Sequence, residues 1–114
     1  MEPELERLRQ LLIDKAGNEQ VCHYQPIGRL FDLDMDNPQH RIRIGEKLGE
    51  ISRFEVNEGR PMLSSIVVHA DGSLPGGGFF KLGKELELVQ PMEDEMAFAV
   101  RQMKATFKYW KHGE

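Results

Sequence analysis

The sequence contains a single cysteine, Cys22, among its 114 residues. One cysteine cannot form an internal disulfide, and a structural zinc site needs several Cys or His ligands, which are not clustered here. We therefore expect no disulfide, no metal site and no cofactor. A chain of this kind fits the reducing environment of the cytoplasm.

Long hydrophobic runs are also lacking. The longest, such as residues 66–68, are only a few residues long, whereas a membrane-spanning helix needs about 20 apolar residues. Residues 1–10 are acidic and polar, without the basic start and apolar stretch of a secretory signal. The sequence predicts no membrane partner and a cytoplasmic location.

What is present is enough to build one folded domain. Hydrophobic residues make up 39% of the chain and charged residues 30%, which allows a buried core beneath a well-solvated surface. No stretch in the middle has the composition of a dividing linker. We expect a single domain over residues 1–114.

The overall charge disfavours a surface that binds polyanions everywhere, because 15 basic and 19 acidic side chains leave a net charge of −4. Two segments are nevertheless locally basic, residues 39–49 and residues 100–112. The simplest interpretation of both is a solvated helix surface, and cations near a helix C-terminus also complement its dipole.

Apolar spacing and helix start signals predict a mostly helical α+β fold with about five helices and a small antiparallel β element. The helices are expected over residues 3–16, from Pro26, from Asn37 and Pro38, from Phe79 to Leu86, and after Pro91. On the last helix, a spacing of three or four predicts a buried stripe of Met96, Val100, Met103, Phe107 and Trp110. The clearest strand runs from Leu63 to Val68, and the glycine-rich residues 73–78 follow it.

No catalytic constellation is convincing. Cys22 and His23 are neighbours on an extended segment, so their side chains point to opposite faces. Ser64 and Ser65 near His69 lack both the sharp turn that exposes a nucleophile and an acid to orient the histidine. We expect a protein that is not an enzyme; a small hydrolase using His69 or His23 is the weakest hypothesis.

Three alternating carboxylates, Asp32, Asp34 and Asp36, resemble part of a calcium loop. The glycine and the bidentate glutamate that such a loop requires are missing. Turn and helix-cap roles are the better interpretation of these residues.

The order of elements is that of a winged helix-turn-helix: a short helix, a tight turn, a longer helix with basic residues at its start, a strand and a glycine-rich loop. In such modules the second helix enters the major groove by its N-terminal residues, and the hairpin contacts the DNA backbone or minor groove. Gln39, His40, Arg41 and Arg43 would then meet base edges and phosphates. A generic helical pair is the alternative interpretation.

The stretch from Tyr24 to Gly78 resembles the winged helix-turn-helix domain of the alkyltransferase-like, or methylguanine-DNA methyltransferase, family. The resemblance rests on Tyr24, on IGRL, on NP, and on IVVHADGSLPGGG. In that family a Pro-Cys-His-Arg run carries the alkyl-accepting cysteine; residues 63–66 here read LSSI, so alkyl transfer is not expected. The resemblance implies that Tyr24, with Arg41 or Arg43, helps to rotate a base out of the stack.

A second resemblance covers GRPMLSSIVVHADGSLPGGGFFKLGKEL, which is similar to a group of small bacterial and prophage proteins. That group brings no established activity to the interpretation.

The leading hypothesis is a noncatalytic DNA-binding or DNA-associated module, with a winged-helix-like core over residues 24–78 and a helical extension over residues 79–114. Its partner would be double-stranded DNA. The predicted DNA-binding residues are Tyr24, Gln39, His40, Arg41, Arg43, Lys47, Gly76, Gly77 and Gly78. The alternative is a protein-interaction module, such as an immunity or antitoxin-like partner, which suits the acidic balance and the six methionines.

Overall fold

The computed structural model describes residues 1–70, 75 and 78–111. This part of the chain forms five α-helices, one 3-10 helix and two short strands, which confirms the mostly helical class. In chain order they are α1 (Pro3–Gly17), β1 (Cys22–His23), α2 (Tyr24–Leu30), α3 (Pro38–Asn57), the 3-10 helix (Leu63–Ile66), β2 (Val67–Val68), α4 (Gly78–Glu85) and α5 (Glu95–Trp110).

The two strands of the described region pair in parallel, with Cys22 opposite Val67 and His23 opposite Val68. An antiparallel element was expected. The pairing is parallel because α2 and α3 connect the two strands. They return the chain to the side where β1 begins, so β2 runs in the same direction as β1. The expected hairpin depends on residues 71–74, 76 and 77, which lie outside the described residues, so it stays a prediction.

The strand predicted from Leu63 to Val68 is wrong for its first part, because the 3-10 helix occupies that stretch. Polar side chains of neighbouring helices bind this segment and take the place of a sheet partner. Ser52 Oγ accepts the backbone N–H of Ser64 at 3.1 Å, and Ser65 Oγ lies 2.9 Å from Thr106 Oγ1. Only Val67 and Val68 remain extended.

The larger core lies where α1, α3 and α5 meet the 3-10 helix. Leu5, Leu8 and Leu12 of α1 are buried, as their helical spacing predicts. The predicted stripe of α3 is also confirmed, with Ile44, Leu48 and Ile51 buried against the same cluster.

The stripe predicted for α5 is only partly correct. Met96 and Val100 are exposed, whereas Phe98, Ala99, Gln102 and Thr106 are buried. Met103, Phe107 and Trp110 of the predicted stripe do pack against the larger core, so the prediction is right for the second half of the helix and wrong for the first. Because Gln102 and Thr106 are polar, a search for apolar spacing leaves them out of the buried face. Both side chains are hydrogen-bonded: the Gln102 amide oxygen accepts the N–H of Met62 at 3.0 Å, and Thr106 Oγ1 donates to the carbonyl of Gln102.

A smaller core cluster joins α4 to α5. Its centre is Phe98, whose ring lies 5.5 Å from the ring of Phe79 and 5.9 Å from that of Phe80. Gly83 allows this packing, because a Cβ at that position would overlap the ring of Phe98. The short helix predicted from Phe79 is confirmed, and it begins one residue earlier, at Gly78.

A buried carboxylate holds the C-terminal end of α3. The side chain of Glu55 is fully buried, with Oε1 3.0 Å from Arg9 Nε and Oε2 2.9 Å from Arg60 Nε. Both guanidinium groups also lie over the ring of Phe54, at 5.2 and 5.6 Å from its centroid. One acid therefore ties α1 and the segment after α3 to the helix itself.

None of the helices in the described part of the chain has the length and apolar character that a membrane span needs. The proposed division between residues 24–78 and 79–114 stays a prediction.

Candidate nucleic-acid interface

The start of α3 is built as its sequence predicts. Asn37 is the N-cap, and its Oδ1 accepts the backbone N–H of Gln39 at 2.9 Å, while Pro38 takes the first helical position. No acidic residue lies in the first turn, and the first carboxylate along the helix is Glu46. The dipole and the side chains within the helix are therefore positive here, and the carboxylates of Asp34 and Asp36 lie in the turn just before it.

The turn between α2 and α3 is fixed by hydrogen bonds to the predicted site residues themselves. His40 Nδ1 accepts the backbone N–H of Asp34 at 2.8 Å, so a neutral imidazole carries its proton on Nε2. Arg41 Nη1 donates to the carbonyl of Met35 at 3.1 Å. Both bonds lock the direction in which α3 leaves the turn.

A glycine sets how closely this turn approaches α2. A Cβ on Gly28 would lie 2.9 Å from the carbonyl oxygen of Leu33 and 2.9 Å from Met35 Cγ. The glycine in IGRL is thus required by the packing of the turn on the helix before it.

The predicted DNA-binding residues of α3 divide into two groups. Gln39, Arg41 and Arg43 are exposed, and Arg43 has no ion pair within the described part of the chain. His40 is half-buried in the turn. Lys47 points to α1, where its Nζ lies 2.9 Å from a Glu4 carboxylate oxygen and 5.7 Å from the centre of the Phe31 ring.

An open cleft of about 1360 Å³ lies beside the exposed residues of α3. Arg41 and Tyr24 both line it, as does His69, whose ring lies 5.2 Å from that of Tyr24 at an angle of 33°. Pro75 and Gly78, which border the glycine-rich segment, are on its rim; Gly76 and Gly77 lie outside the described residues. The structure thus brings Tyr24 and Arg41 to one cavity.

The other walls of the cleft are mixed in character. The α4 side contributes Phe79, Leu82 and Lys81, and α3 contributes two carboxylates, Glu46 and Glu50. Such a lining offers apolar contact and both signs of charge. It is not a uniformly cationic channel.

One exposed residue of this face was missed by the sequence analysis. Ile42 lies between Arg41 and Arg43, lines the cleft and is 56% exposed. The signal was available, since Ile42 falls off the face that Ile44 and Leu48 bury.

Two of the residues considered for catalysis, Cys22 and Ser64, are buried in the fold. Burial raises the pKa of the Cys22 thiol, with a smaller opposing effect from the charge of Lys15, so a reactive thiolate is disfavoured at Cys22. Ser64 Oγ is buried 2.6 Å from Ser52 Oγ. The described residues contain no group of three or more His, Cys, Asp or Glu side chains able to hold a metal ion.

One buried polar atom at the cleft has no partner among the described residues. His23 Nδ1 neither accepts nor donates a hydrogen bond in the described part of the chain. His23 lines the cleft next to Tyr24. This nitrogen is buried, so its free hydrogen-bonding position is not open to the cleft in this structure.

No family model, no curated protein and no solved structure matches this chain.

Proposed function

We propose that this protein is a noncatalytic DNA-associated module of winged helix-turn-helix type. In this proposal α2 and α3 are the helix pair, and the first two turns of α3 enter the major groove. The predicted wing is the glycine-rich segment 73–78, of which residues 73, 74, 76 and 77 lie outside the described residues. The partner is double-stranded DNA.

The observation that carries the proposal is a set of exposed donor side chains at the start of α3. Gln39 and Arg43 are four residues apart and share one side of the helix, whereas Arg41 lies on another side, at the cleft. Within α3 no carboxylate precedes Glu46, and Asp34 and Asp36 lie in the turn before the helix. Arg and Gln side chains have the donors that base edges and phosphates accept. Cations left without an ion pair also release counterions on binding, which is the main source of affinity for DNA.

The two arginines are suited to different contacts. Arg41 is anchored by its bond to the Met35 carbonyl, so its direction is fixed and its remaining N–H groups can be aimed at a base edge. Arg43 has no such anchor in the described region and suits a phosphate, which tolerates many approach angles. Tyr24, which lines the same cleft as Arg41, supplies an aromatic surface there.

Fluorescence anisotropy with a labelled DNA duplex tests the proposal. The unmodified chain should bind at low salt, and its affinity should fall steadily as salt rises. The double variant Arg41→Ala, Arg43→Ala should lose most of the binding.

A matched control removes the same charge elsewhere. Lys104 and Lys108 are exposed on α5 and neither lines the cleft, so Lys104→Ala with Lys108→Ala lowers the net charge equally. This control should bind nearly as well as the unmodified chain. Absence of binding at low salt, or an equal loss in both double variants, would reject α3 as the interface.

The protein-interaction hypothesis is favoured by a different observation, the exposure of Ile42. An apolar side chain at 56% exposure beside carboxylates such as Glu46 is more typical of a protein contact than of a DNA-reading helix. A photo-crosslinking amino acid at position 42, used in the source cells, distinguishes the two. Adducts with nucleic acid support the DNA proposal, whereas one discrete protein adduct supports an immunity or antitoxin-like partner.

A further inference from the structure

One peptide unit in the turn between α2 and α3 is held from both sides. This unit joins Leu33 to Asp34. Its carbonyl oxygen lies so close to Gly28 that a Cβ on Gly28 would be 2.9 Å away, and its N–H donates to His40 Nδ1 at 2.8 Å. The same peptide unit therefore contacts α2 through its carbonyl and α3 through its N–H.

The contact on the α3 side depends on the protonation state of one side chain. A neutral imidazole has one nitrogen without hydrogen, and in His40 that nitrogen is Nδ1, because it accepts the N–H of Asp34. A protonated imidazole has hydrogen on both nitrogens and accepts no hydrogen bond. Protonation of His40 therefore sets two donors against each other, and the bond to Asp34 is lost.

No ion pair fixes the charge of His40. In the region that the structure describes, no carboxylate lies within ion-pair distance of its ring, and the residue is only half-buried. Histidine takes up its proton between about pH 8 and about pH 5, whereas the bonds that Asn37 and Arg41 make at the same turn do not change over this range. The bond to Asp34 is thus the one that pH can break.

The elements next to His40 carry charges of both signs. Carboxylates of the turn favour a protonated imidazole, whereas the cations of α2 and α3 and the positive end of the α3 dipole oppose it. The carboxylates are those of Asp32, Asp34 and Asp36, and the cations are those of Arg29, Arg41, Arg43 and Lys47. From α1, Glu4 is bound to Lys47, and Arg7 donates to the carbonyl of Leu30. Opposing charges act on the ring, and the contact that protonation removes outright is the bond to Asp34.

We propose that His40 is a pH-sensitive latch of the α2–α3 turn. Neutral His40 holds the Leu33–Asp34 peptide unit and so fixes how α3 leaves the turn. Protonated His40 releases that unit and is attracted instead to the carboxylate of Asp34, whose Oδ1 already accepts the N–H of Asp36 at 2.9 Å. The latch is closed at high pH and opens as the pH falls through the range in which His40 takes up its proton. This inference does not depend on the proposed function.

The change should stay local, because other contacts also hold the helix pair. Arg41 still donates to the carbonyl of Met35, and the side chain of Met35 is buried. Ile27 of α2 and Ile44 of α3 are buried in the same core cluster. We therefore expect a looser turn in a chain that remains folded.

Amide NMR on the full chain without DNA tests the proposal, in a titration from about pH 8 to about pH 5.5. The amide proton of Asp34 should move upfield as its hydrogen bond is lost, with the same midpoint as the carbon-bound ring protons of His40. After correction for the intrinsic pH dependence of exchange, its protection from hydrogen exchange should fall by roughly two- to tenfold, the range for one hydrogen bond.

Two variants separate the latch from a general effect of pH. In His40→Asn, the amide oxygen takes the place of Nδ1 as an acceptor that does not titrate, so the Asp34 signal should stay at its high-pH position throughout. His69→Asn is the matched control, because His69 is an exposed histidine that lies against Tyr24, outside this turn. In that variant the Asp34 signal should respond as in the unmodified chain.

Circular dichroism at both ends of the titration establishes that each variant remains folded. An Asp34 amide that ignores pH in the unmodified chain would overturn the proposal. So would a response that persists in His40→Asn, or one that disappears in His69→Asn.

Discussion

The two ends of α3 use arginine in opposite ways. At the C-terminal end, Arg9 and Arg60 bind the buried carboxylate of Glu55 from two sides. At the N-terminal end, Arg41 and Arg43 lie at the surface with no ion pair in the described part of the chain. An arginine bound to a buried acid is committed to the fold, whereas an unpaired arginine is available to a ligand.

This difference separates cations that hold the fold together from cations that face solvent. The net charge of −4 says nothing about where the charges lie, and the two arginines at the C-terminal end are bound by Glu55 and Glu6. The local charge that a partner meets at the start of α3 is set by the cations that form no ion pair. The comparison predicts that substitutions at the C-terminal end change stability, and that substitutions at the N-terminal end change binding.

The largest expected effect is at the C-terminal end. Glu55→Ala leaves the partly buried guanidinium group of Arg60 without its acid and leaves Arg9 with only Glu6, and breaking a buried ion pair in this way costs about 3–5 kcal/mol. Chemical denaturation followed by circular dichroism should show this loss. Glu50→Ala, an exposed acid on the same helix, is the control and should change stability by less than about 0.5 kcal/mol. Equal stability of the two variants would contradict the structural role of Glu55.

A smaller effect of opposite sign is expected at Gly45, in the half of α3 that faces the cleft. A Cβ there has nothing within 4 Å, so Gly45→Ala should raise the free energy of unfolding by about 0.5–1 kcal/mol through helix propensity alone. Gly83→Ala, in contrast, would place a Cβ against the ring of Phe98 and should lower the free energy of unfolding by about 1–3 kcal/mol. Loss of stability in Gly45→Ala would mean that this side of α3 is not open.

The smallest effect on stability is expected at the arginines of the N-terminal end. Arg41→Ala with Arg43→Ala removes one hydrogen bond to the Met35 carbonyl and no ion pair of the described region. The melting temperature should therefore change little, corresponding to about 1 kcal/mol or less. Thermal melts of this variant accompany the DNA titration, because a large destabilisation would make any loss of binding uninformative.

Local signals in the sequence were sufficient for several elements. The capping side chain of Asn37 followed by Pro38 places the start of α3, and the spacing of Leu5, Leu8 and Leu12 gives the buried face of α1. These features depend on residues within one or two turns of each other. The exposure of Arg41 does not follow from spacing, because position 41 continues the stripe of Ile44 and Leu48.

Contacts between distant residues account for what was wrong. The 3-10 helix in place of a strand depends on Ser52 and Thr106, which bind Ser64 and Ser65 from 12 and 41 residues away. The burial of Glu55 depends on Arg9, 46 residues earlier. The spacing of Leu48 and Ile51 places position 55 on the buried face, but nothing local shows the two arginines that bind a carboxylate there.

In the candidate site, too, contacts between distant residues decide what local spacing cannot show. His40 and Lys47 belong by sequence to the basic stretch, yet one accepts the N–H of Asp34 and the other pairs with Glu4. Neither partner is visible in the spacing of α3 itself. The exposed set is reduced to Gln39, Arg41 and Arg43, and that smaller set is the one on which the proposed function depends.

The most direct test of the central claim is a two-dimensional amide NMR titration of the chain with duplex DNA at low salt. The account predicts that the amides from Gln39 to Arg43, together with Tyr24, shift progressively and that the shifts reverse as salt is added. The amides of α5 from Lys104 to Lys111 should remain unchanged. Shifts confined to α5, or none at the start of α3, would contradict the claim that the unpaired arginines of α3 form the interface.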